Sequence, residues 1–345
     1  MNSTKSKKRR KEQITVLGSG SWGTTIAILL NENGHDVILW EKFPELSEAI
    51  KRDHENKRFL PGISIPWSIK ITSDLNESLE DSKYIVFVTP SHTIRNVARL
   101  TASQQNFDKN SIIIDAAKGL ENKTLCRMST VLSQELPQSK KLINCLLGPS
   151  HAEEVSRKMP TSVVAAGINR SVLEKIQNLF MTENFRVYTN TDIIGVELGV
   201  ALKNTIAIAA GICDGLGYGD NTKAALITRG LAEIKRLAKK LGARKETLSG
   251  LSGIGDLIAT CMSRHSRNRY VGEQIGKGKS LKEVLGDMVM VAEGVKTTKA
   301  AVRLGSAEGV ELPIAEQVYS VLFHRKNPRK AMRDLMLRKA KKEMY

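Results

Sequence analysis

The stretch EQITVLGSGSWGT, residues 12–24, places glycines at 18, 20 and 23 directly after the apolar residues Ile14, Val16 and Leu17. A short run rich in β-branched residues reads as a strand buried on both faces. TTIAILLNENG follows, apolar and helix-compatible, and Gly34 stands where a helix C-cap falls. HDVILWE then reads as a second strand. Strand, glycine turn, helix and strand within about 30 residues is the context a dinucleotide-binding turn demands. Gly18 allows a tight turn, Gly20 presents no side chain to a pyrophosphate, and Gly23 lets the helix lie close on the strand. The helix start adds unpaired N–H groups and a positive dipole end.

Working outward, three more apolar runs end in small, polar or basic residues. KYIVFVTPSH (83–92) leads to Pro90, Ser91 and His92, SIIIDAAKGL (111–120) to Lys118 and Gly119, and NCLLGPSHAEE (144–154) to Gly148, Pro149, Ser150 and His151. Ligands bind outside the carboxyl ends of parallel strands, so these endings predict one crevice at one edge of a sheet. The second strand ends Trp40-Glu41-Lys42. An acid there accepts the ribose hydroxyls of NAD and a base pairs with the 2′-phosphate of NADP. Glu41 favours the first and Lys42 the second, so the cofactor is NAD or NADP, with the preference open.

From about residue 195 the character changes. GVELGVALKNTIAIAAGICDGL and the segments after it carry apolar residues at helical spacing, with Ala and Gly replacing Val-rich strands. The fold class is therefore α/β: a parallel-sheet domain over 12–194, an all-α domain over 195–330, and basic tails at 1–11 and 331–345. Lys203 stands inside an apolar helix. A buried ammonium is costly unless partnered or neutral, and burial lowers its pKa toward the range of a general acid or base. The bland reading, a lysine snorkelling from a helix edge, weighs equally. Asp256 follows two glycines in LSGIGDLIATC, either as a helix N-cap or as a carboxylate facing that lysine. SRHSRNRY (263–270) groups Arg264, Arg267 and Arg269 with Ser266 and Asn268. That set suits a phosphate; standing alone it reads more often as a solvated loop.

Composition narrows the partners. In 345 residues, 41% hydrophobic and 26% charged, the balance is that of a globular protein. No apolar stretch reaches the roughly 20 residues of a membrane helix, and no secretory signal follows the basic start. Cys126, Cys145, Cys213 and Cys261 are scattered without metal-ligand spacing, which points to reduced, packed thiols, a cytoplasmic setting and no metal. The net charge is +17, yet residues 1–11 hold six Lys/Arg and no acid, and residues 325–345 hold nine against two acids. The body keeps only +4, so nucleic acid is not expected as the main partner, and a solvated tail is the default for the N-terminus.

In chain order, GSGSWGT, FLPG (59–62), PSH (90–92), AAKGLE (116–121), GPSHAEE (148–154), LKN (202–204), GDLIATC (255–261), SRNRY (266–270) and AEGVKTT (292–298) resemble the bacterial type of NAD(P)-dependent glycerol-3-phosphate dehydrogenase. The likeness runs from about 13 to about 330. It implies a Rossmann-type first domain, hydride transfer between sn-glycerol 3-phosphate and dihydroxyacetone phosphate, a supply of glycerol 3-phosphate for glycerophospholipid synthesis, and a homodimer. It implies that Ser21 and Trp22 contact the cofactor, with Lys42 near the adenosine ribose, Ala152 on the cofactor, and Val291 and Glu293 closing over the nicotinamide. Lys118 would reach cofactor and substrate, and Gly148 and Ser150 the substrate. Lys203 would move the proton, with Asn204 and Asp256 beside it. Ser266, Arg267 and Asn268 would take the substrate phosphate, Arg267 also meeting the cofactor. Ala292 departs from the valine common before that glutamate, and the basic tails lie outside the pattern. A hydroxyacid dehydrogenase with a similar first half is the second enzyme reading; it would need a carboxylate-binding set in place of SRNR.

Overall fold

The computed structural model describes residues 11–288, 291–340 and 342–343. Eight strands form one sheet in the order β3-β2-β1-β4-β5-β6-β7-β8. They are β1 (Gln13–Leu17), β2 (Asp36–Trp40), β3 (Lys70–Thr72), β4 (Tyr84–Phe87), β5 (Ile112–Asp115), β6 (Ile143–Leu147), β7 (Thr161–Ala166) and β8 (Phe185–Asn190). β1 to β6 run parallel, and register explains why their endings meet. Leu17 pairs with Trp40 and with Phe87, Phe87 with Asp115, and Asp115 with Cys145. The residues that follow, Gly18, Glu41, Val88, Ala116 and, three places along, Gly148, therefore emerge along one edge.

The sheet is not parallel throughout. β7 runs antiparallel to β6, and β8 is parallel to β7. Between β6 and β7 the chain holds only the one-turn helix Ala152–Val155, too little for a crossover, so it doubles back. Between β7 and β8 it holds the helix Arg170–Phe180, enough to restore parallel pairing. β8, at the sheet edge, alternates buried and exposed residues.

The helical half is built around Ile193–Gly215, whose residues from Gly195 to Cys213 are all buried. By length and composition this helix could cross a membrane, which corrects the expectation that no stretch is long enough; 89% of its apolar window is instead covered by the protein itself. Its closest neighbour is the helix Arg267–Gly276. A Cβ on Gly272 would lie 2.0 Å from the Ile208 carbonyl oxygen, and one on Gly211 would lie 1.9 Å from that of Arg269. Backbone meets backbone here, with no flexible atom to yield. Gly272→Val is expected to lower the thermal midpoint by roughly 5 °C or more, read by calorimetry; an unchanged midpoint would show that the two helices part easily.

Cys126, Cys145, Cys213 and Cys261 are free thiols, three of them buried. Residues 1–10 of the basic N-terminal run lie outside the described residues. The C-terminal boundary needs correction: residue 331 starts no tail, since Pro328–Met336 is a helix and Ala331 is buried against the preceding one.

Candidate active site

Gly18 turns the chain at φ 115°, its N–H donating to the Trp40 carbonyl at 3.0 Å. A Cβ on Gly23 would fall 1.9 Å from the Gly18 carbonyl oxygen, so Gly23 serves helix-to-turn packing and not the cleft wall. Gly20 has nothing within 4 Å on its Cβ side and faces open space. The helix Ser21–Glu32 starts here without a side-chain cap. Asn56 Nδ2 donates to the Ser19 carbonyl, fixing the turn from FLPG's neighbourhood. Ser19 Oγ donates to Glu41 Oε2, and Phe43 N–H donates to Glu41 Oε1 at 3.0 Å. Glu41 is 6% exposed and its two oxygens are engaged, while Lys42 and Arg58 stand exposed on the rim.

A cleft of about 600 Å³ opens over this edge of the sheet and runs to the helical half. At its far end Lys203, 3% exposed, donates to Asp256 Oδ1 at 2.7 Å and to Thr260 Oγ1. Lys118 Nζ donates to the Gly148 carbonyl at 2.7 Å and to Ser150 Oγ at 3.4 Å, and lies 3.4 Å from Asp256 Oδ2. One carboxylate thus stands between two ammonium groups. Asp256 is no N-cap: it opens the helix Asp256–Met262 behind a single π-helical turn, Leu251–Gly255, with its side chain turned to the lysines. Burial pushes the Lys203 ammonium down to about 8; Lys118 lowers it too, and Asp256 opposes both. His151 also lines the cleft, but burial and the two lysines push it down to about 4, so it is neutral at pH 7 and has no proton to give as an imidazolium.

The three arginines of SRHSRNRY do not converge. Arg269 donates to Asp214 at 2.6 Å, away from the cleft, and Arg264 is exposed. Arg267 alone reaches in, donating to Ser21 Oγ at 3.1 Å and to the Val291 carbonyl at 3.4 Å. Burial lowers its pKa, with Glu153 and Glu293 opposing, yet no carboxylate among the described residues pairs with it. A desolvated, unpaired guanidinium in a cleft is costly until an anion meets it. Ser266 caps its helix by accepting from Arg269 N–H at 3.2 Å. Asn268 donates to Asn204 Oδ1 at 3.0 Å and accepts from Gly294 N–H at 2.9 Å. Glu293 accepts from Ser91 N–H at 3.1 Å and Ser91 Oγ at 2.7 Å, joining the helical half to the loop after β4.

Ser21, Trp22, Glu41, Lys42, Lys118, Ser150, Ala152, Lys203, Asn204, Ser266, Arg267, Asn268, Val291 and Glu293 all line this cleft, with Gly18 and Gly20. Gly23, Gly148 and Asp256 stand behind its wall, the last two holding lysines. Sequence reasoning passed over Thr260, Asn56 and His265. Thr260 was findable, since it lies one helical turn after Asp256 and so shares its face.

The residues fit a dinucleotide. Among the described residues, Trp22 Nε1 and Thr89 Oγ1, both beside the glycine turn, are buried without hydrogen-bond partners, and nothing covers the Gly20 face. Among the described residues no group of three His, Cys, Asp or Glu could hold a metal ion.

A Rossmann-type sheet, its glycine turn, and a paired lysine delivered by a helical second half define a two-domain, dinucleotide-dependent dehydrogenase. Residues 13–173 match the family model for the N-terminus of NAD-dependent glycerol-3-phosphate dehydrogenase, and residues 192–333 match that for its C-terminus. The chain belongs to the NAD-dependent glycerol-3-phosphate dehydrogenase family. It is 54% identical over 333 residues to the glycerol-3-phosphate dehydrogenase [NAD(P)+] of Chlorobium phaeobacteroides, covering 96% of this chain and 99% of that one. Among solved structures it resembles glycerol-3-phosphate dehydrogenase from Coxiella burnetii (36% identity, TM-score 0.91, 95% and 99% covered). It also resembles the yeast enzyme (28% identity, TM-score 0.79, 95% and 100% covered).

Proposed function

We propose that this chain interconverts sn-glycerol 3-phosphate and dihydroxyacetone phosphate with NAD or NADP. The observation that carries the reading is the Lys203–Asp256–Lys118 cluster at the end of a cleft that begins at the glycine turn. A nicotinamide dinucleotide held in this cleft would supply the hydride chemistry at substrate C2. Lys203 takes the proton of the C2 hydroxyl, or gives one to the ketone oxygen. Its pKa of about 8 keeps both forms accessible near neutral pH. Lys118 places positive charge beside the same oxygen and steadies it as negative charge develops. Gly148 acts through its carbonyl, which aims Lys118, and Ser150 contacts the substrate.

Arg267, with Ser266 and Asn268, holds the substrate phosphate. Its bond to Ser21 at the glycine turn also brings it to the cofactor side. Gly18, Gly20, Ser21, Trp22 and Ala152 would cradle the dinucleotide, and Val291 and Glu293 would close over it. Glu41, locked against Ser19, shapes the ribose pocket, and exposed Lys42 and Arg58 leave room and charge for a 2′-phosphate.

Reduction of dihydroxyacetone phosphate with NADH and NADPH, beside small ketoacids, tests this reading. Turnover of the phosphate ester alone is the expected result, and a preference for ketoacids would select the hydroxyacid reading. Arg267→Ala is expected to raise KM for dihydroxyacetone phosphate about 10- to 100-fold, the worth of hydrogen bonds to a charged group. Unchanged KM would move the phosphate to another cation. The further reading is of a cytoplasmic homodimer supplying glycerol 3-phosphate to glycerophospholipid synthesis. The free thiols and the buried apolar helix support the setting.

A further inference from the structure

The basic C-terminal segment has two faces. On the helix Pro328–Met336, Ala331, Met332 and Leu335 pack inward against the helical core. Arg329, Lys330, Arg333, Met336 and the following Leu337 are exposed, at positions i, i+1, i+4, i+7 and i+8, which is one outward stripe. Met336 is 77% exposed and Leu337 70%. Nearby acids are already engaged: Asp334 pairs with Lys326 at 2.6 Å and Glu311 with Arg338 at 2.9 Å. Among the described residues Arg329, Lys330, Arg333 and Lys339 form no ion pair.

We propose that this stripe docks the protein reversibly on an anionic lipid surface. Two adjacent large apolar side chains among unpaired cations form the pattern of an interfacial helix, with apolar groups entering the headgroup boundary and cations meeting lipid phosphates. A second copy of the chain would bring like charge against like charge. Nucleic acid would use the cations but leave Met336 and Leu337 in water. The helix is short, so attachment is weak and governed by salt.

Co-sedimentation of the full chain with vesicles decides the matter. Retention is expected on phosphatidylcholine mixed with phosphatidylglycerol, not on phosphatidylcholine alone, with release by salt. Met336→Ser combined with Leu337→Ser should weaken retention about ten-fold, from the lost apolar burial. Arg329→Gln, Lys330→Gln and Arg333→Gln together should abolish it. Dehydrogenase turnover, measured on the same preparations, stays at the wild-type level. The N-terminal basic run is present throughout, so it cannot cause the differences. Absence of retention on the anionic vesicles overturns the proposal, as does equal retention of the serine variant. It is also overturned by tighter binding to duplex DNA than to the vesicles at equal salt, or by a dimer that the serine variant dissolves.

Discussion

Lys203→Ala is expected to lower turnover by ~10²-fold or more in both directions, the usual worth of a positioned acid–base group. Three features single this lysine out. It is buried, it sits at the end of the cleft, and its proton affinity has been brought to about 8 by burial and Lys118 against the pull of Asp256. Among the described residues no neighbour matches it: Lys118 donates to the Gly148 carbonyl, and His151, pushed down to about 4, has no proton to give at pH 7 and is only a weak acceptor. The pH dependence carries a second signature. In the wild type, reduction of the ketone falls as pH rises through about 8, because the donor loses its proton; oxidation rises over the same interval as the acceptor appears. Both limbs should vanish in the alanine variant, while KM for the cofactor holds. Steady-state kinetics across pH 6 to 10, about two units either side of that value, reads all of this, and near-normal turnover would remove Lys203 from the chemistry.

The residues most legible in the sequence were those in conflict with their surroundings. An ammonium inside an apolar helix and three glycines after an apolar run each break a local rule, and Lys203, Gly18 and Gly20 line the cleft while Gly23 packs just behind it. What stayed hidden depends on distant contacts. Glu41 and Lys42 stand side by side in sequence, but burial separates them: the acid is held by Ser19 and Phe43 and the base faces out. Arg264, Arg267 and Arg269 look equivalent as letters; the helix that starts at Arg267 sends Arg269 to Asp214 and only Arg267 to the cleft. The reversal at β7 rests on how little helix the β6–β7 connection contains, which a motif-by-motif reading does not weigh. Asn56 acts on a turn 37 residues away, a separation at which no periodicity speaks.

Asp256→Asn separates the two tasks of the carboxylate. The amide keeps the shape and can still accept a hydrogen bond from Lys203, but it offers no countercharge to either lysine. Asp256 raises the Lys203 pKa, while burial and Lys118 lower it. With the opposing charge gone, the pKa falls below about 8. The limb of the pH–rate profile must then move toward acid, in both directions together, because the equilibrium constant ties them. Reduction of the ketone at neutral pH should fall by ~10-fold or more, since the ammonium is scarce, whereas oxidation keeps its acceptor and loses only the countercharge that helped hold Lys118. Breaking a buried pair on one side also costs stability, about 3–5 kcal/mol where the remaining charge cannot neutralise. Here Lys203 can shed its proton, so the loss in thermal midpoint should be smaller at pH 9 than at pH 6. A purely structural aspartate would lower activity and midpoint without moving the limb. A profile fixed at the wild-type position would therefore show that the carboxylate positions Lys203 without setting its proton affinity.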